Sequence, residues 1–93
     1  MSAVVLLPGV LRAEAGGASR LTVAADGTLG TVLDELAERF PRLERRIRDE
    51  RRQLRRYVNV YIDGDDCRGL AGLDSPVPEG AEIQVLPSVA GGA

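Results

Sequence analysis

The sequence contains no histidine, no lysine and only one cysteine, Cys67. Without histidine, imidazole general-base chemistry and most zinc sites are excluded. A single cysteine excludes an internal disulfide and is consistent with a reducing cytoplasm. Without lysine, the chain has no side-chain amine on which an isopeptide-linked chain could be built.

Long apolar runs are absent as well. No run approaches the ~20 residues that a membrane span needs, and Met1-Ser2-Ala3 lacks the basic region of a signal peptide. The 93 residues are 44% hydrophobic and 28% charged, as is usual for one globular domain. We therefore expect a cytoplasmic domain that does not associate with membranes.

The charges are unevenly distributed along the chain. Nine of the twelve arginines lie between Arg39 and Arg56 with three acidic residues, so this segment carries +6 while the whole chain carries −2. Two interpretations stay open: a solvated segment with internal ion pairs, or a docking patch for an acidic enzyme partner. Nucleic-acid binding is disfavoured, because the net charge is negative and aromatic residues are scarce beside the arginines.

The first half of the sequence predicts a hairpin followed by a helix. Residues 3–7 and 21–23 have the β-branched or alternating pattern of strands, and the glycine-containing segment 14–18 predicts the turn between them. Apolar residues then recur at helical spacing from Leu29 to Phe40. Thr28 is the predicted N-cap, and we expect the helix to end before Pro41.

The second half predicts strands and turns. Residues 42–56 are charged, with apolar positions that allow a turn or two of helix. Residues 57–62 alternate as a strand, and residues 63–66 form a tight turn. A short strand or irregular stretch follows to Leu73. Residues 82–86 form the last strand.

This order of elements predicts an α+β protein with the ubiquitin-like β-grasp fold. One main helix covers one face of a mixed sheet, and the first and last long strands lie parallel at its centre. The predicted core consists of Val5, Leu7, Leu21, Val23, Leu29, Val32, Leu33, Leu36, Phe40, Val58, Val60, Ile62, Ile83 and Val85.

Three internal features of the sequence are candidate sites. Asp63, Asp65 and Asp66 lack the later acidic ligands of a calcium loop, so a solvated turn is favoured over a cation site. Cys67 has no evident base or helix N-terminus nearby, which favours a structural thiol. Tyr57 and Tyr61 fall on the non-core face of their strand, where partner binding and cross-strand packing explain them equally well. No catalytic pair, phosphate loop or metal cluster is recognised.

The end of the sequence has little that could be buried. No charge follows Glu82 and no large side chain follows Val89. Small residues suit a segment that enters a narrow channel and presents its carboxylate to another protein. We therefore divide the chain into a domain, residues 1–87, and a flexible tail, residues 88–93.

This element order, ending in Leu-Pro-Ser-Val-Ala-Gly-Gly at residues 86–92, resembles the ubiquitin-like sulfur carriers of the MoaD and ThiS family. The CysO branch is the most similar, through three stretches: residues 7–12 with the glycines at 16 and 17, the Asp-Gly-Thr-Leu-Gly sequence at 26–30, and Tyr-Val-Asn-Val-Tyr-Ile at 57–62.

The resemblance implies a carrier rather than an enzyme. An ATP-dependent adenylating and sulfurtransferase enzyme would activate the C-terminal carboxylate, and sulfur would replace AMP to give a thiocarboxylate. A sulfur-accepting synthase would then use it in the biosynthesis of cysteine, molybdopterin or a secondary metabolite. The carrier itself would bind no cofactor and no metal, since the activating enzyme consumes the ATP.

The resemblance also assigns roles in the tail. Gly92 would carry the sulfur, Gly91 would give clearance, and Pro87, Ser88, Val89 and Ala90 would form the arm that partners hold. Ala93 departs from the pattern, because these carriers end at the second glycine. Three explanations stay open: a zinc metalloprotease trims Ala93, Ala93 is itself adenylated, or it is not part of the natural protein.

Two alternative functions share the same sequence features. A ubiquitin-like modifier conjugated to lysines of other proteins would use the same tail and the same activation. A non-catalytic β-grasp interaction module would bind its partner equally well without residues 88–93.

Overall fold

The computed structural model describes residues 1–87, which form five strands and three α-helices. The strands are β1 (Ser2–Leu6), β2 (Arg20–Ala24), β3 (Val58–Ile62), β4 (Asp65–Asp66) and β5 (Glu82–Pro87). The α-helices are α1 (Gly9–Arg12), α2 (Leu29–Arg39) and α3 (Pro41–Ile47), and single turns of 3-10 helix cover Ala13–Ala15, Cys67–Gly69 and Gly72–Asp74. Within this part of the chain, no helix is long and apolar enough to cross a membrane.

The strands form one mixed sheet in the order β2-β1-β5-β3-β4. β1 and β5 are parallel neighbours at its centre, with Val5 opposite Ile83, and every other pairing is antiparallel. α2 lies on one face and buries its apolar side against the sheet. The β-grasp fold predicted from the element order is therefore confirmed. The predicted tail, residues 88–93, lies outside the described residues, so the division at Pro87 stays a prediction.

α2 begins and ends where the sequence indicates. The Thr28 hydroxyl accepts a hydrogen bond from the backbone N–H of Thr31 at 3.4 Å, which satisfies one of the free amides of the first turn. The helix ends at Arg39, two residues before Pro41. Pro41 then occupies the first turn of α3, where a missing N–H costs no hydrogen bond. The same residue thus separates two helices.

The core agrees with the prediction except at Phe40. The other thirteen predicted core residues are buried, whereas Phe40 is half-buried and packs against the edge of the core. The prediction of a core position was wrong because Phe40 lies at the joint between two helices, with extended φ and the Arg39 guanidinium 5.7 Å from its ring centre. Further buried residues lie outside the predicted core list: Leu11, Ala15, Leu43 and Ile47 in short helices, and Val77 in the segment before β5.

The β1–β2 connection is more structured than a simple hairpin turn. β1 ends at Leu6, and Pro8 precedes α1, which buries Leu11. Gly16 and Gly17 have φ values of 66° and 90°, a conformation that glycine adopts without steric cost. These residues reverse the chain so that it can return as β2. The predicted irregular stretch up to Leu73 likewise consists of two 3-10 turns.

We expect Leu33→Ala to lower the free energy of unfolding by about 2–5 kcal/mol, because it leaves a cavity in a close-packed core. Leu33 is fully buried, whereas Leu70 is 51% exposed, so Leu70→Ala is the matched control and should change stability by less than about 0.5 kcal/mol. Urea denaturation of both variants measures the difference. Equal losses would contradict this description of the core.

Candidate functional site

The candidate site is the end of the sheet at which β5 finishes, here called the tail end. Pro87 is the last residue of β5 and lies opposite Val58, the first residue of β3. It is half-buried and is the only predicted site residue within the described chain. Ser88, Val89, Ala90, Gly91, Gly92 and Ala93 lie outside the described residues, so the structure places the start of the predicted arm and not its end.

Several connections meet at the tail end because of the strand directions. β1 runs parallel to β5, so α1 and the turn Ala13–Ala15 follow at this end, and β2 starts there with Arg20 opposite Leu6. β3 runs the other way, so the segment that precedes Val58 arrives at the same end. α3 packs against the Ala13–Ala15 turn. Residues that are far apart in sequence therefore surround the point where the chain continues past Pro87.

A concave surface lies beside this point. Its lining mixes apolar and polar side chains, namely Leu6, Leu7, Pro8, Arg12, Ser19, Arg20, Gln84, Val85 and Leu86. Gln84 and Leu86 point away from the core because their neighbours Ile83 and Val85 are buried. The Arg12 Nε donates a 3.0 Å hydrogen bond to the Leu7 carbonyl, which fixes the rim. Sequence patterns missed this surface because it depends on three adjacent strands.

Arg48, in the arginine-rich segment, is buried. It is 3% exposed, and its Nε donates to Glu44 Oε2 at 2.6 Å while its Nη2 donates to Asp34 Oδ1 at 2.8 Å. Burial alone would lower the pKa of Arg48, but the hydrogen bonds to the two carboxylates outweigh it and raise that pKa. The guanidinium therefore stays charged and links α3 to α2.

Two further arginines make exposed ion pairs. Arg39 Nη1 lies 2.9 Å from Glu35 Oε2, and Arg52 Nη1 lies 3.3 Å from Asp34 Oδ1. For these arginines and Arg48 the interpretation as internal ion pairs is confirmed. The remaining arginines of the segment form no ion pair with a carboxylate of residues 1–87.

The unpaired arginines include a cluster, here called the arginine groove. Its lining residues are Glu14, Arg42, Arg45, Arg46, Arg55 and Tyr57. α3 buries Leu43 and Ile47 on one side, so Arg42, Arg45 and Arg46 are exposed on the other. This i, i+3, i+4 spacing is visible in the sequence. The sequence gives no indication that Glu14, from the β1–β2 connection, lies beside these arginines.

In the aspartate-rich turn at residues 63–66, side-chain carboxylates accept hydrogen bonds from the backbone. Asp63 and Gly64 have positive φ values, 50° and 89°, as expected of a tight hairpin turn. Asp63 Oδ1 accepts from the Glu82 N–H, and Asp66 Oδ1 accepts from the Arg68 N–H, each at 2.9 Å. Across residues 1–87, no group of three or more histidine, cysteine or acidic side chains could hold a metal ion. The tight turn itself is confirmed by these φ values and by the antiparallel pairing of β3 with β4.

Cys67 is a structural thiol. It is fully buried within the core, and that burial raises the pKa of its thiol. The neighbouring Arg68 directs its guanidinium to backbone carbonyls instead, donating to Val58 and Arg55 at 2.9 Å each. The arrangement opposes thiolate formation and leaves Cys67 without the surroundings of a reactive cysteine.

The two tyrosines differ in their surroundings. Tyr57 is 49% exposed and lines the arginine groove, so it is accessible to a partner. Tyr61 is half-buried on β3, opposite Gln84 of β5 and Asp66 of β4, where it contributes to cross-strand packing. The strand pattern predicted the same surroundings for both tyrosines, whereas in the structure Tyr57 is exposed and Tyr61 is half-buried.

Comparison with known families decides the relationship. The ThiS family matches residues 5–92, which include nearly the whole domain and both glycines near the C-terminus. This chain belongs to the ThiS family. The resemblance to MoaD and ThiS carriers that the sequence indicated is thereby confirmed.

Individual relatives agree with this assignment. The sulfur carrier protein CysO of Mycobacterium tuberculosis is 33% identical over 94 residues, covering 99% of this chain and all of the relative. Small archaeal modifier protein 1 of Haloferax volcanii is 33% identical over 82 residues, covering 86% of this chain and 90% of the relative. A chain of the Amycolatopsis orientalis BexX/CysO complex superposes with a TM-score of 0.87 at 30% identity, covering 96% of this chain and 98% of that one. This ThiS-family protein is thus similar to small carrier and modifier proteins.

We expect Arg48→Gln to lower the free energy of unfolding by about 3 kcal/mol, because it leaves the Glu44 carboxylate without its buried partner. Arg39→Gln removes an exposed ion pair and should cost less than about 1 kcal/mol. Chemical denaturation compares them. A similar small loss in both variants would show that Arg48 does not hold the helices together.

We also expect the Cys67 thiol to react slowly with a thiol reagent such as iodoacetamide in the folded protein. Burial limits access and raises the thiol pKa, so little thiolate forms near neutral pH. The labelling rate should rise strongly in urea, where the thiol becomes accessible. Equal rates in the folded and unfolded protein would contradict a buried Cys67.

Proposed function

We propose that this protein is a sulfur carrier whose C-terminal glycine, Gly92, becomes a thiocarboxylate. The observation that carries the proposal is the family match that extends through Gly92 on a domain whose last strand finishes at Pro87. In this proposal Pro87, Ser88, Val89 and Ala90 form the arm that partners hold, and Gly91 lets the enzyme backbone approach.

The chemistry explains why a carrier needs an activating enzyme. A carboxylate is a poor electrophile, so its oxygen first attacks the α-phosphorus of ATP and releases pyrophosphate. Sulfide then attacks the carbonyl carbon of the acyl adenylate, AMP leaves, and the thiocarboxylate remains. When the donor is a persulfide, a thiol must afterwards reduce the S–S bond. Activation and displacement together replace one difficult step with two easier ones.

The length of the segment after Pro87 suits this role. Residues 88–92 span roughly 17 Å when fully extended, which is enough for the carboxylate to reach an enclosed active site while the domain stays outside. The domain supplies a rigid end to that segment, because Pro87 is held in the sheet opposite Val58.

For Ala93 we infer removal by a zinc metalloprotease. An extra residue would displace the reacting carboxylate by up to ~3.5 Å, which is a large error for an aligned nucleophile. The untrimmed chain would then be an inactive store of the carrier.

The proposed partners are an ATP-dependent adenylating and sulfurtransferase enzyme and a sulfur-accepting synthase. The acceptor would belong to cysteine, molybdopterin or secondary-metabolite biosynthesis. A similar chain is found in the BexX/CysO complex, so a protein of this fold assembles with another protein. Because activation consumes ATP, we place the protein in the cytoplasm.

A second candidate function is conjugation to other proteins. The small archaeal modifier protein 1 of Haloferax volcanii, 33% identical to this chain, favours it. Both functions begin with the same adenylate and differ in the nucleophile that follows, which is sulfur for a carrier and a lysine amine for a modifier. Glycyl-lysine remnants on cellular proteins would identify the modifier.

The proposal is tested by reacting three chains with the activating enzyme, ATP and sulfide: residues 1–92, residues 1–93, and residues 1–92 with Gly92→Val. We expect only the first to gain the mass of one oxygen replaced by sulfur. Valine places a branched side chain beside the reacting carbonyl and should lower kcat/KM by at least about 100-fold. Intact mass spectrometry measures conversion.

A second measurement determines the C-terminus of the native protein. Protein purified from its own host should lack Ala93 and carry the sulfur mass gain. Normal conversion of the Gly92→Val chain would refute Gly92 as the reacting residue. An unmodified C-terminus in cells with an active pathway would count against the carrier and for an interaction module.

A further inference from the structure

The charges of this protein are separated along the strand direction. The end opposite the tail end is formed by the turns at residues 24–28, 62–66 and 79–82, which contain no arginine. Their exposed acidic residues are Asp26, Asp63, Asp65, Glu79 and Glu82. Basic side chains collect at the other end, so the molecule is negative at one end and positive at the end where the chain continues past Pro87.

The positive end keeps a net positive charge, although Asp49 interacts electrostatically with Arg51 and Arg55. Glu44 is occupied by Arg48, and Asp34 by Arg48 and Arg52. Arg42, Arg45 and Arg46 are exposed and have no carboxylate of residues 1–87 within ion-pair distance. One acidic residue, Glu14, lines the arginine groove against its four arginines. The groove is therefore a net cationic surface.

Hydrogen bonds to backbone carbonyls hold the arginine groove in place. The Arg55 N–H donates to the Ile47 carbonyl at 3.0 Å, and its Nε donates to the Arg45 carbonyl at 2.8 Å. Arg68 donates to the Arg55 carbonyl at 2.9 Å. A surface that is already ordered loses less conformational entropy when a partner binds.

The arginine groove is also connected to the start of the predicted arm. Tyr57 lines the groove and directly precedes Val58, which lies opposite Pro87. Any enzyme that takes up residues 88–92 must approach this end of the domain to within roughly 17 Å, the extended length of that segment. Such an enzyme meets the cationic surface before the carboxylate reaches its active site.

We propose that the arginine groove docks on an acidic surface at the mouth of the channel in which the activating enzyme receives the C-terminus. This inference rests on the proposed function and adds to it a docking surface and the charge of the partner. The separated charges orient the approaching carrier with its tail end forward, which raises the association rate more than the final affinity.

An acidic protein surface fits these features better than a nucleic acid. The whole chain carries −2, so a long polyanion would be repelled by the opposite end. Tyr57 is the one aromatic residue among those lining the groove, which gives no row of stacking platforms.

The experiment measures kcat/KM for adenylation of residues 1–92 by the activating enzyme, as pyrophosphate release, across a range of salt concentrations. The test variant is R42Q/R45Q/R46Q, in which exposed side chains without ion pairs to residues 1–87 are replaced by glutamine, which has similar helix propensity. The matched control, S2E/A71E/P78E, lowers the net charge by the same three units at exposed positions away from the groove.

We expect the test variant to lower kcat/KM by about 10-fold or more at about 0.05 M NaCl, through KM with kcat unchanged. The deficit should shrink at about 0.5 M NaCl, where charges are screened over a few ångströms. The control should retain wild-type kcat/KM within about 3-fold, because its added charges lie far from the interface.

Each other outcome overturns the inference. A wild-type kcat/KM that does not depend on salt, or equal deficits in test variant and control, would exclude a specific cationic docking surface while leaving the sulfur carrier intact. Salt-sensitive binding of a single-stranded oligonucleotide that the test variant loses, with normal adenylation, would assign the groove to nucleic acid. If the wild-type chain is not adenylated at all, the proposed function fails and this inference fails with it.

Discussion

The parallel pairing of β1 with β5 is the constraint on which the rest of the structure depends. Two strands from opposite ends of the chain lie side by side, with Val5 opposite Ile83. Parallel neighbours need a crossover connection, and α2 lies within it and covers the shared face. Because both central strands point the same way, the connection that follows β1 and the segment that follows Pro87 emerge at one end of the sheet.

That geometry makes the tail end a surface to which many parts of the chain contribute. The start of β2 and the segment before β3 arrive there because both strands run antiparallel to their central neighbours. The far end receives the acidic turns for the same reason. The separation of charge is therefore a consequence of topology acting on a sequence in which arginines precede β3 and acids follow it.

Much of the fold followed from local patterns. The apolar stripe from Leu29, the Thr28 cap, the stop before Pro41 and the alternation in residues 58–62 are each determined by neighbours in sequence, and each agrees with the structure. Phe40 did not follow, because its burial depends on where α3 turns away from α2. The charged segment after Pro41 was expected to allow a turn or two of helix, and α3 lies there, whereas α1 was missed because four residues are too few to show a period.

The C-terminal glycines and the arginine-rich segment were recognised in the sequence on different grounds. The roles assigned to Gly91 and Gly92 came from family resemblance, and the match over residues 5–92 supports the family and leaves those roles as proposals. The arginine-rich segment was visible as charge alone. Composition could not distinguish Arg48, which is buried between Glu44 and Asp34, from Arg45 three residues earlier, which is exposed.

The sequence by itself determined the long strands and the main helix, the β-grasp order, the family and the small-residue ending, because hydrophobic period, turn residues and motif are local properties. Only the tertiary structure decided which arginines are internal ion pairs and which remain unpaired within residues 1–87. It also decided that the arginine groove lies beside the exit of β5. These outcomes depend on strand direction and on contacts between distant residues, such as Arg48 with Asp34 and Val58 with Pro87.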